Sequence, residues 1–256
     1  MDAQQLTPRQ REIVRLVAEQ SYATLEGLAQ SFEVSIQSIR RDVIQLDRLR
    51  LLQRFHGGAG ATQNTVRLGH REKRVTAADA KARIGQAGAR LVPPGASAFL
   101  DVGTTTEALA RALAEREAPL RVFTNSLSVG LELAGRSHVE LHVFGGTARG
   151  ADGSLAGAAT LSALDAVSFD IAFIGCSGLD EEARVTDYDL EKIAVKRLAM
   201  RRAGASILLA DASKFSRRAT VAVAPLGDFA HVVTSTGDEA VLRERVGPHA
   251  KALTIV

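Results

Sequence analysis

The sequence has a single cysteine, Cys176, among its 256 residues. One cysteine excludes a disulfide framework and a multi-cysteine metal site, and its apolar surroundings indicate a small buried side chain. No apolar run approaches the roughly 20 residues that a membrane span requires, and the amino terminus lacks the core of a signal peptide. We therefore expect a cytoplasmic protein that does not enter a membrane, and we predict neither a metal site nor a cofactor.

A strong overall charge is also missing, since 32 basic and 29 acidic side chains leave a net charge of +3. Residues 1–75 contain 12 Arg or Lys and 8 Asp or Glu, a local excess of 4, so the remainder is close to neutral. The hydrophobic fraction of 46% is ordinary for a globular protein, and the length suits one or two domains. The local excess favours a polyanionic partner for the amino-terminal segment.

The segment from Val34 to Leu46 predicts a capped amphipathic helix. Ser35 has the side chain of a helix N-cap, and the apolar residues after it recur at spacings of three and four. Those apolar residues, which we expect to face inward, are Ile36, Ile39, Val43 and Leu46. The opposite face carries Ser35, Gln37, Ser38, Arg40 and Arg41. This set suits base edges and phosphates in a DNA major groove, but a solvated surface helix also explains it.

The charged residues of this helix are predicted to have different roles. Arg40 and Arg41 point in directions about 100° apart, so we expect one to approach bases and the other to bind phosphate. Asp42 is expected to form a salt bridge that holds an arginine in place, not to face DNA.

The surrounding residues predict a winged helix-turn-helix domain over residues 1–60. Thr7 and Pro8 begin a first helix, and Thr24 caps a short second helix that precedes the helix at Ser35. Behind that helix, an alternating run ends in two glycines, which indicates a short hairpin. Arg54 and His56 lie on this hairpin, where we expect them to reach phosphate or the minor groove.

Residues 61–76 are predicted to be a linker. The segment begins with small and polar residues. The charged run at 71–74 is either a solvated surface or a relay between two domains. An alanine-rich helix is predicted from Ala77 to Leu91, with Lys81 on its repeating stripe, and Pro93-Pro94-Gly95 ends it.

Residues 77–256 alternate between short apolar runs and amphipathic segments, which predicts an α/β domain with a mainly parallel sheet. The predicted strands are 97–101, 121–124, 139–144, 169–174, 205–210, 219–223, 231–235 and 252–256. The predicted helices between them are 105–113, 127–134, 190–202 and 239–246. In such sheets ligands bind at the carboxyl ends of the strands.

Glycines and polar side chains follow several of the predicted strands. Each one alone is explained as a helix cap or a turn, but together they predict a pocket for a small, hydroxylated, anionic ligand. The residues of this predicted pocket are Asp101, Gly103, Thr104, Thr105, Asn125, Ser126, Gly145, Gly146, Gly175, Gly178 and Lys214.

Two further residues of the predicted pocket have a competing explanation. Asp187 precedes the helix that begins at Leu190, so it is either a helix-end charge or an acceptor for ligand hydroxyls. Lys196 lies five residues after Glu191, so the two side chains do not share a helix face. Lys196 is either a solvated surface lysine or a ligand-binding residue.

The amino-terminal motif closely resembles the DeoR family of bacterial transcription regulators. The family pattern is a serine, then T-I-R-R-D-L, then G-L-L-x-R and H-G-G-A. This chain has Ser35, Ser38-Ile39-Arg40-Arg41-Asp42-Val43, Leu51-Leu52, Arg54 and His56-Gly57-Gly58-Ala59. It departs from the family at Ser38, where threonine is usual, and at Arg50, where glycine is usual. The resemblance implies binding to a double-stranded DNA operator.

The carboxyl-terminal motifs are similar to the sensor domain of the same family, which has a fold like ribose-5-phosphate isomerase. The matching residues are Asp101-x-Gly103-Thr104-Thr105, Thr124-Asn125-Ser126, Gly145-Gly146, Asp170 to Gly178, Thr186 with Glu191 and Lys196, and Asp211-x-Ser213-Lys214-Phe215. One departure is Ser235, where the family usually has aspartate. The resemblance implies a phosphorylated sugar, polyol or related metabolite as effector.

We therefore predict a ligand-responsive DNA-binding repressor of carbohydrate or polyol metabolism genes, with no catalytic residues. Because operators are commonly read as paired half-sites, we expect a homodimer or homotetramer. The alternative is a sugar-phosphate isomerase with an appended DNA-binding module, for which Asp101, Asp170 or Asp187 would be the candidate base. A third possibility is a DNA-binding scaffold whose pocket binds nothing.

Overall fold

The computed structural model of the protein describes residues 6–20, 22–49, 51–55, 58–61, 77–149, 152–237 and 239–256. The chain divides into two compact units, Met1–Leu68 and Gly69–Val256. His56 and nearly all of the predicted linker lie outside the described residues.

The first unit is a helix-turn-helix followed by a hairpin. Its elements are α1 (Pro8–Gln20), β1 (Tyr22–Thr24), α2 (Leu25–Ser31), α3 (Ile36–Arg48), β2 (Leu52–Phe55) and β3 (Gly58–Ala61). Strand β3 pairs antiparallel with both β1 and β2, which gives the hairpin a third strand. The predicted caps are present, because Thr24 Oγ1 accepts the Gly27 N–H at 3.0 Å and Thr7 Oγ1 accepts the Gln10 N–H at 3.2 Å. The winged helix-turn-helix prediction is confirmed.

The core of this unit corrects one residue of the predicted stripe on α3. Ile39, Val43 and Leu46 are fully buried against α1 residues such as Ile13. Ile36 is 39% exposed, so the prediction that it faces inward was wrong. It lies in the first turn, at the edge of the stripe.

The second unit is an α/β domain with a large sheet. Its first elements are α4 (Ala78–Arg90), β4 (Ser97–Leu100), α5 (Thr104–Ala114), β5 (Leu120–Thr124), α6 (Leu127–Leu133), β6 (Val139–Val143), β7 (Thr147–Arg149), β8 (Ser154–Ala156) and α7 (Ala158–Asp165). There follow β9 (Phe169–Gly175), β10 (Gly178–Leu179), β11 (Arg184–Asp187), α8 (Leu190–Arg202), β12 (Ala203–Ala210), β13 (Val221–Pro225), β14 (His231–Thr234), α9 (Glu239–Val241) and β15 (Leu253–Ile255).

The large sheet has seven strands in the order β6-β5-β4-β9-β12-β14-β15, and every neighbouring pair is parallel. The predicted α/β class is confirmed. From β4 the chain moves outward to β5 and β6, then returns to the other side of β4 as β9. The pair β4–β9 is therefore the point where the strand order reverses, and such a point opens a crevice at the carboxyl edge.

Two smaller antiparallel units cover parts of this domain. The predicted strand at 219–223 is present as β13, but it lies in a small antiparallel sheet with β10 and β11, outside the parallel sheet. Strands β7 and β8 form a hairpin. The prediction missed β7, β8, α7, β10 and β11, all of which are short.

The two faces of the large sheet have different cores. Phe99, Phe123 and Phe169 pack together on one face, with ring centroids 5.2–5.5 Å apart for two of the pairs. On the other face, Ile84 of α4 and Leu109 of α5 belong to a cluster with aliphatic strand residues such as Leu100 and Val122. No described helix is long and apolar enough to cross a membrane.

Candidate functional site

The first candidate surface is the exposed face of α3. Ser35 caps the helix, because its Oγ accepts the Ser38 N–H at 3.2 Å, and the two hydroxyl oxygens are 3.0 Å apart. Gln37, Arg40 and Arg41 are exposed. Among the described residues none forms a hydrogen bond or ion pair with these three side chains. We call Ser35, Gln37, Ser38, Arg40 and Arg41 the recognition face.

Asp42 holds α3 against α1. It is 7% exposed, and its carboxylate accepts hydrogen bonds from Arg9 Nε at 2.7 Å and from Gln10 Nε2 at 3.0 Å. The expected salt bridge to an arginine therefore exists, and it is made with Arg9 of the first helix. Because the bond fixes where α3 sits on its own domain, Asp42 positions the recognition face without belonging to it.

The wing is attached to α3 as well. Asp47 Oδ1 accepts the backbone N–H of Arg54 at 3.0 Å, which ties β2 to the last turn of α3. The Arg54 side chain is exposed. Its contact with phosphate stays a prediction.

The second candidate site lies at the carboxyl edge of β4 and β9, where the strand order reverses. Asp101, directly after β4, is 1% exposed, and its Oδ2 accepts the Gly175 N–H at 3.0 Å. Lys196 of α8 donates to the same carboxylate and, at 2.9 Å, to the Gly175 carbonyl oxygen. Three predicted pocket residues thus form one buried cluster at the crevice.

Lys196 is not the solvated surface lysine that was one of the two alternatives. It is 2% exposed, and its Nζ lies 3.4 Å from Asp187 Oδ2 in addition to its contact with Asp101. Burial alone lowers the pKa of this ammonium group, but the two carboxylates outweigh burial and raise the pKa above its usual value. Lys196 is therefore a fixed cation. Its buried helix neighbours Ile193 and Ala199, three residues before and after it, were the signal that the sequence offered.

Asp187 ends β11 beside this cluster. Its Oδ1 accepts hydrogen bonds from the Ser177 hydroxyl at 2.8 Å and from the Tyr188 N–H at 2.9 Å. The helix cap of α8 is Asp189, whose carboxylate accepts from the Glu191 and Lys192 amides.

Cys176 lies between Gly175 and Ser177, and burial raises the pKa of its thiol to about 12. The thiol therefore stays protonated at neutral pH.

Asn125 and Ser126 follow β5 and are held by the β7–β8 hairpin. Asn125 Nδ2 donates to the Leu155 carbonyl at 2.9 Å, and Ser126 caps α6 through the Val129 N–H. Asn125 is 1% exposed, and its Oδ1 is the one buried side-chain nitrogen or oxygen of the described ranges without a hydrogen-bond partner. Such an acceptor costs free energy unless something donates to it.

The loop after β4 leads into α5. Gly103 has φ 147°, a conformation that favours glycine, and α5 begins at Thr104 without a side-chain cap. Thr104 and Thr105 are each 8% exposed. Lys214, after β12, lies 4.0 Å from Asp211 Oδ2.

Two of the predicted glycines, Gly146 and Gly178, are explained by packing within the protein, whereas a Cβ atom on Gly145 would meet nothing within 4 Å. A Cβ atom on Gly146 would lie 2.1 Å from Thr160 Oγ1, and one on Gly178 would lie 2.3 Å from the Arg217 carbonyl oxygen. The carbonyl of Gly145 accepts the Thr160 hydroxyl at 2.7 Å. A role for these three glycines in ligand binding stays a prediction.

The structure also separates Asp170 from the crevice. Asp170 lies at the amino end of β9, where its Oδ2 accepts from the N–H and the hydroxyl of Ser97, both at 2.7 Å. Those hydrogen bonds lower its pKa. As the sheet is parallel, this end is opposite to the crevice, so Asp170 is not a base for a ligand there. No group of three or more His, Cys, Asp or Glu among the described residues forms a metal site.

An exposed polar helix face on one unit and a polar crevice at a topological switch point on the other define a ligand-responsive DNA-binding regulator. Residues 9–65 match the family described as "DeoR-like helix-turn-helix domain", and residues 76–236 match "DeoR C terminal sensor domain". The chain belongs to the DeoR family of transcription regulators.

Relatives over nearly the full length agree with this assignment. The chain is 34% identical to the glycerol-3-phosphate regulon repressor of Haemophilus influenzae, over 91% of each chain. It is 29% identical to the transcriptional repressor CsqR of Escherichia coli, over 93% of this chain and 91% of that one. Among solved structures, ribose 5-phosphate isomerase A of Methanocaldococcus jannaschii matches with 20% identity and a TM-score of 0.41, over 55% of each chain. The protein is a ligand-responsive DNA-binding repressor and not an enzyme, as predicted.

Proposed function

We propose that the protein represses genes of carbohydrate or polyol metabolism and releases its operator when a phosphorylated sugar or polyol binds at the crevice. The observation that carries this proposal is the buried Asn125 Oδ1, an acceptor without a donor at the carboxyl edge of the sheet. A ligand hydroxyl supplies the missing donor. The glycerol-3-phosphate regulon repressors among the relatives support an effector of this chemical class.

The remaining groups at the carboxyl edge suit the two ends of such a molecule. The carboxylates of Asp101 and Asp187 are acceptors for hydroxyl groups. The uncapped start of α5 and the ammonium of Lys214 suit an anion. An unphosphorylated polyol would donate to the two carboxylates but would bring no anion to the start of α5 and Lys214. We therefore expect the effector to require both hydroxyl groups and a negative charge.

On the DNA side, the recognition face, Arg54 and His56 are proposed to contact the operator. Half-sites in operators are commonly paired, so we propose a homodimer or homotetramer as the binding species. Residues 61–76 are proposed to join the domain of residues 1–60 to the sensor domain of residues 77–256. Effector binding changes operator affinity only if the effector binds the two states with different affinity.

The test is a thermal-shift screen of the full chain with phosphorylated sugars and polyols, each paired with its unphosphorylated form. Glycerol 3-phosphate and ribose 5-phosphate, with glycerol and ribose, are the first pairs. We expect at least one phosphorylated compound to raise the melting temperature while its partner does not. A compound present at 100 times its dissociation constant adds about 2.7 kcal/mol of stability, which such a screen detects easily. If no phosphorylated compound stabilises the protein, the proposed effector class is wrong.

A further inference from the structure

Strand β6 is an outer strand of the seven-stranded sheet, and none of the described residues pairs with its outer edge. The carbonyl oxygen of His138 accepts the Leu120 N–H, and the N–H of Phe144 donates to the carbonyl of the residue that ends β5. The even-numbered residues of this segment therefore direct their backbone groups towards β5, and Leu141 and Val143 direct theirs outward. Unpaired backbone groups on an outer strand are a template for pairing with another chain.

The order of side chains along β6 is complementary to a second copy of the same strand. When two copies pair antiparallel about a two-fold axis at Leu141, Glu140 of each copy lies opposite His142 of the other. Val139 lies opposite Val143 in the same register. Both Glu140 and His142 are exposed, and they lie on one face of the strand. In this register they form non-hydrogen-bonded pairs, whose Cα atoms are about 4.5 Å apart, so that a carboxylate meets an imidazole twice.

Apolar side chains of α6 continue this edge. Leu131 is 80% exposed, and Leu127, one turn before it, is 43% exposed. Val143 of β6 is 42% exposed and lies beside the same helix, because a Cβ atom on Gly130 would be 3.1 Å from its Cγ2. Contiguous exposed apolar side chains of this kind mark a site of protein–protein contact.

We infer that two copies of the chain associate through Val139–Val143, Leu127 and Leu131, a surface that we call the β6 edge. This assignment rests on the proposed homodimer or homotetramer and names a surface that forms it. The strands of the two copies join into one continuous sheet, and their side-chain pattern fixes the register. A two-fold axis perpendicular to the sheet keeps each face on its own side, so α6 of both copies lies on the same face and the exposed leucines meet there.

The opposite outer strand, β15, fits a second copy less well. It has three residues, Leu253–Ile255, and β6 has five. None of the three is charged, so pairing of two copies there brings no carboxylate to a basic side chain. The hydroxyl of its central residue, Thr254, already lies 2.8 Å from His231 Nε2. The number of possible ladder hydrogen bonds and the charge pattern therefore both favour β6.

The experiment is sedimentation equilibrium of the full chain without DNA or effector. Leu131→Glu places a carboxylate in the apolar patch, and Leu190→Glu is the matched control, because Leu190 is 67% exposed and lies on α8, outside the β6 edge. We expect Leu131→Glu to weaken the association by about tenfold or more, because the two introduced carboxylates meet across the two-fold axis. Leu190→Glu should associate as the unmodified chain does. Equal association constants for Leu131→Glu and the unmodified chain overturn the assignment.

An exchange of charges tests the register of the pair. His142→Glu sets like charges opposite each other at two symmetric positions, and we expect it to weaken association by about tenfold, or about threefold at each position. Adding Glu140→Lys restores opposite charges, so the double variant should recover most of the lost affinity. Damage to the fold would not be reversed by a second substitution of this kind. If the double variant associates as weakly as His142→Glu alone, the proposed register is wrong.

The outcome is separable from that of the proposed function. A chain that stays monomeric at every concentration refutes both the β6 edge and the proposed oligomer, while the thermal-shift screen still decides the effector class. A dimer or tetramer that Leu131→Glu leaves intact refutes the β6 edge alone. If the unmodified chain is a tetramer with a second interface, conversion of the tetramer to a dimer by Leu131→Glu supports the assignment.

Discussion

Lys196 is the residue on which the crevice depends most strongly. It is buried between Asp101 and Asp187, and it also donates to the carbonyl of Gly175. A buried ion pair adds little net stability when compared with a hydrophobic pair of the same shape, but removing one partner leaves a buried charge uncompensated. The cluster therefore adds little to the total free energy of folding. Its main effect is to fix the relative positions of β4, β9 and α8.

The corresponding prediction concerns Lys196→Met. The substitution leaves Asp101 buried without its cation, so we expect the free energy of unfolding to fall by about 3–5 kcal/mol. The measurement is urea unfolding of both proteins, followed by circular dichroism. Lys192→Met, which removes the ion pair between Lys192 and Asp152 one turn earlier on the same helix, is the control and should cost less because that pair is more exposed.

The pH dependence of this contribution follows from the raised pKa of Lys196. A cation with a raised pKa stabilises the folded state fully below its unfolded pKa, which is usually 10.5, and this contribution is lost only as the pH rises through the folded pKa. The difference between the unmodified protein and Lys196→Met should therefore be the same at pH 7 and pH 9. A difference that disappears by pH 9 would contradict a paired, charged lysine.

At the scale of elements, the α4–α5 crossing is a close backbone contact. Gly85 permits it, because any side chain there meets the backbone of Ala108 at 2.5 Å. Backbone atoms cannot rotate away as a side chain can, so the two helices must separate if Gly85 is replaced.

Gly85→Ala is the test of this contact. We expect the substitution to cost about 1–3 kcal/mol of stability, the usual range for overpacking. Gly88→Ala is the matched control on the same helix, because its Cβ would meet only flexible side-chain atoms at 3.4 Å or more. Equal melting temperatures for the two variants would show that the crossing tolerates a methyl group and that the described contact is not tight.

The recognition helix gives a second prediction at this scale. Arg41→Ala should weaken operator binding and reduce the dependence of log affinity on log salt by about one counterion, because each phosphate contact releases about one ion. The measurement is fluorescence anisotropy of operator DNA over a range of salt concentrations. Arg201→Ala, an exposed arginine on α8 in the sensor unit, serves as the control. An unchanged salt slope for Arg41→Ala would exclude a direct phosphate contact.

The strands of the parallel sheet were predictable from the sequence, while those of the small antiparallel sheet were not, except for β13. The helix at 190–202 and the strands of the parallel sheet were placed within about two residues, because capping residues and apolar runs define them. Strands β10 and β11 have two and four residues and lack the apolar runs that mark β4 and β14. Their pairing with β13 depends on contacts distant in the chain, which sequence periodicity does not contain.

The candidate site was predictable in its residue types but not in its internal pairing. The glycines and polar residues that follow the strands indicated the carboxyl edge. The ion pairs of Lys196 could not be predicted, because Asp101 lies 95 residues and Asp187 nine residues from it in the chain. Lys81 lies on the repeating stripe predicted for α4, and the structure buries it to 5% exposure.

At the scale of the whole molecule, the chain combines a DNA-binding unit and a sensor unit, and the account requires that the two sites be coupled. Coupling is reciprocal: if an effector weakens operator binding by some factor, the operator weakens effector binding by the same factor. Tight binding of an effector by itself does not shift the protein between states.

The most direct measurement is therefore the dissociation constant of one phosphorylated effector for the free protein and for the operator-bound protein. We predict that operator DNA weakens effector binding by at least about fivefold, the lower end of typical allosteric coupling, and that the effector weakens operator binding by the same factor. Equal effector affinity in the free and operator-bound states would contradict the account, because the crevice would then bind its ligand without regulating the recognition face.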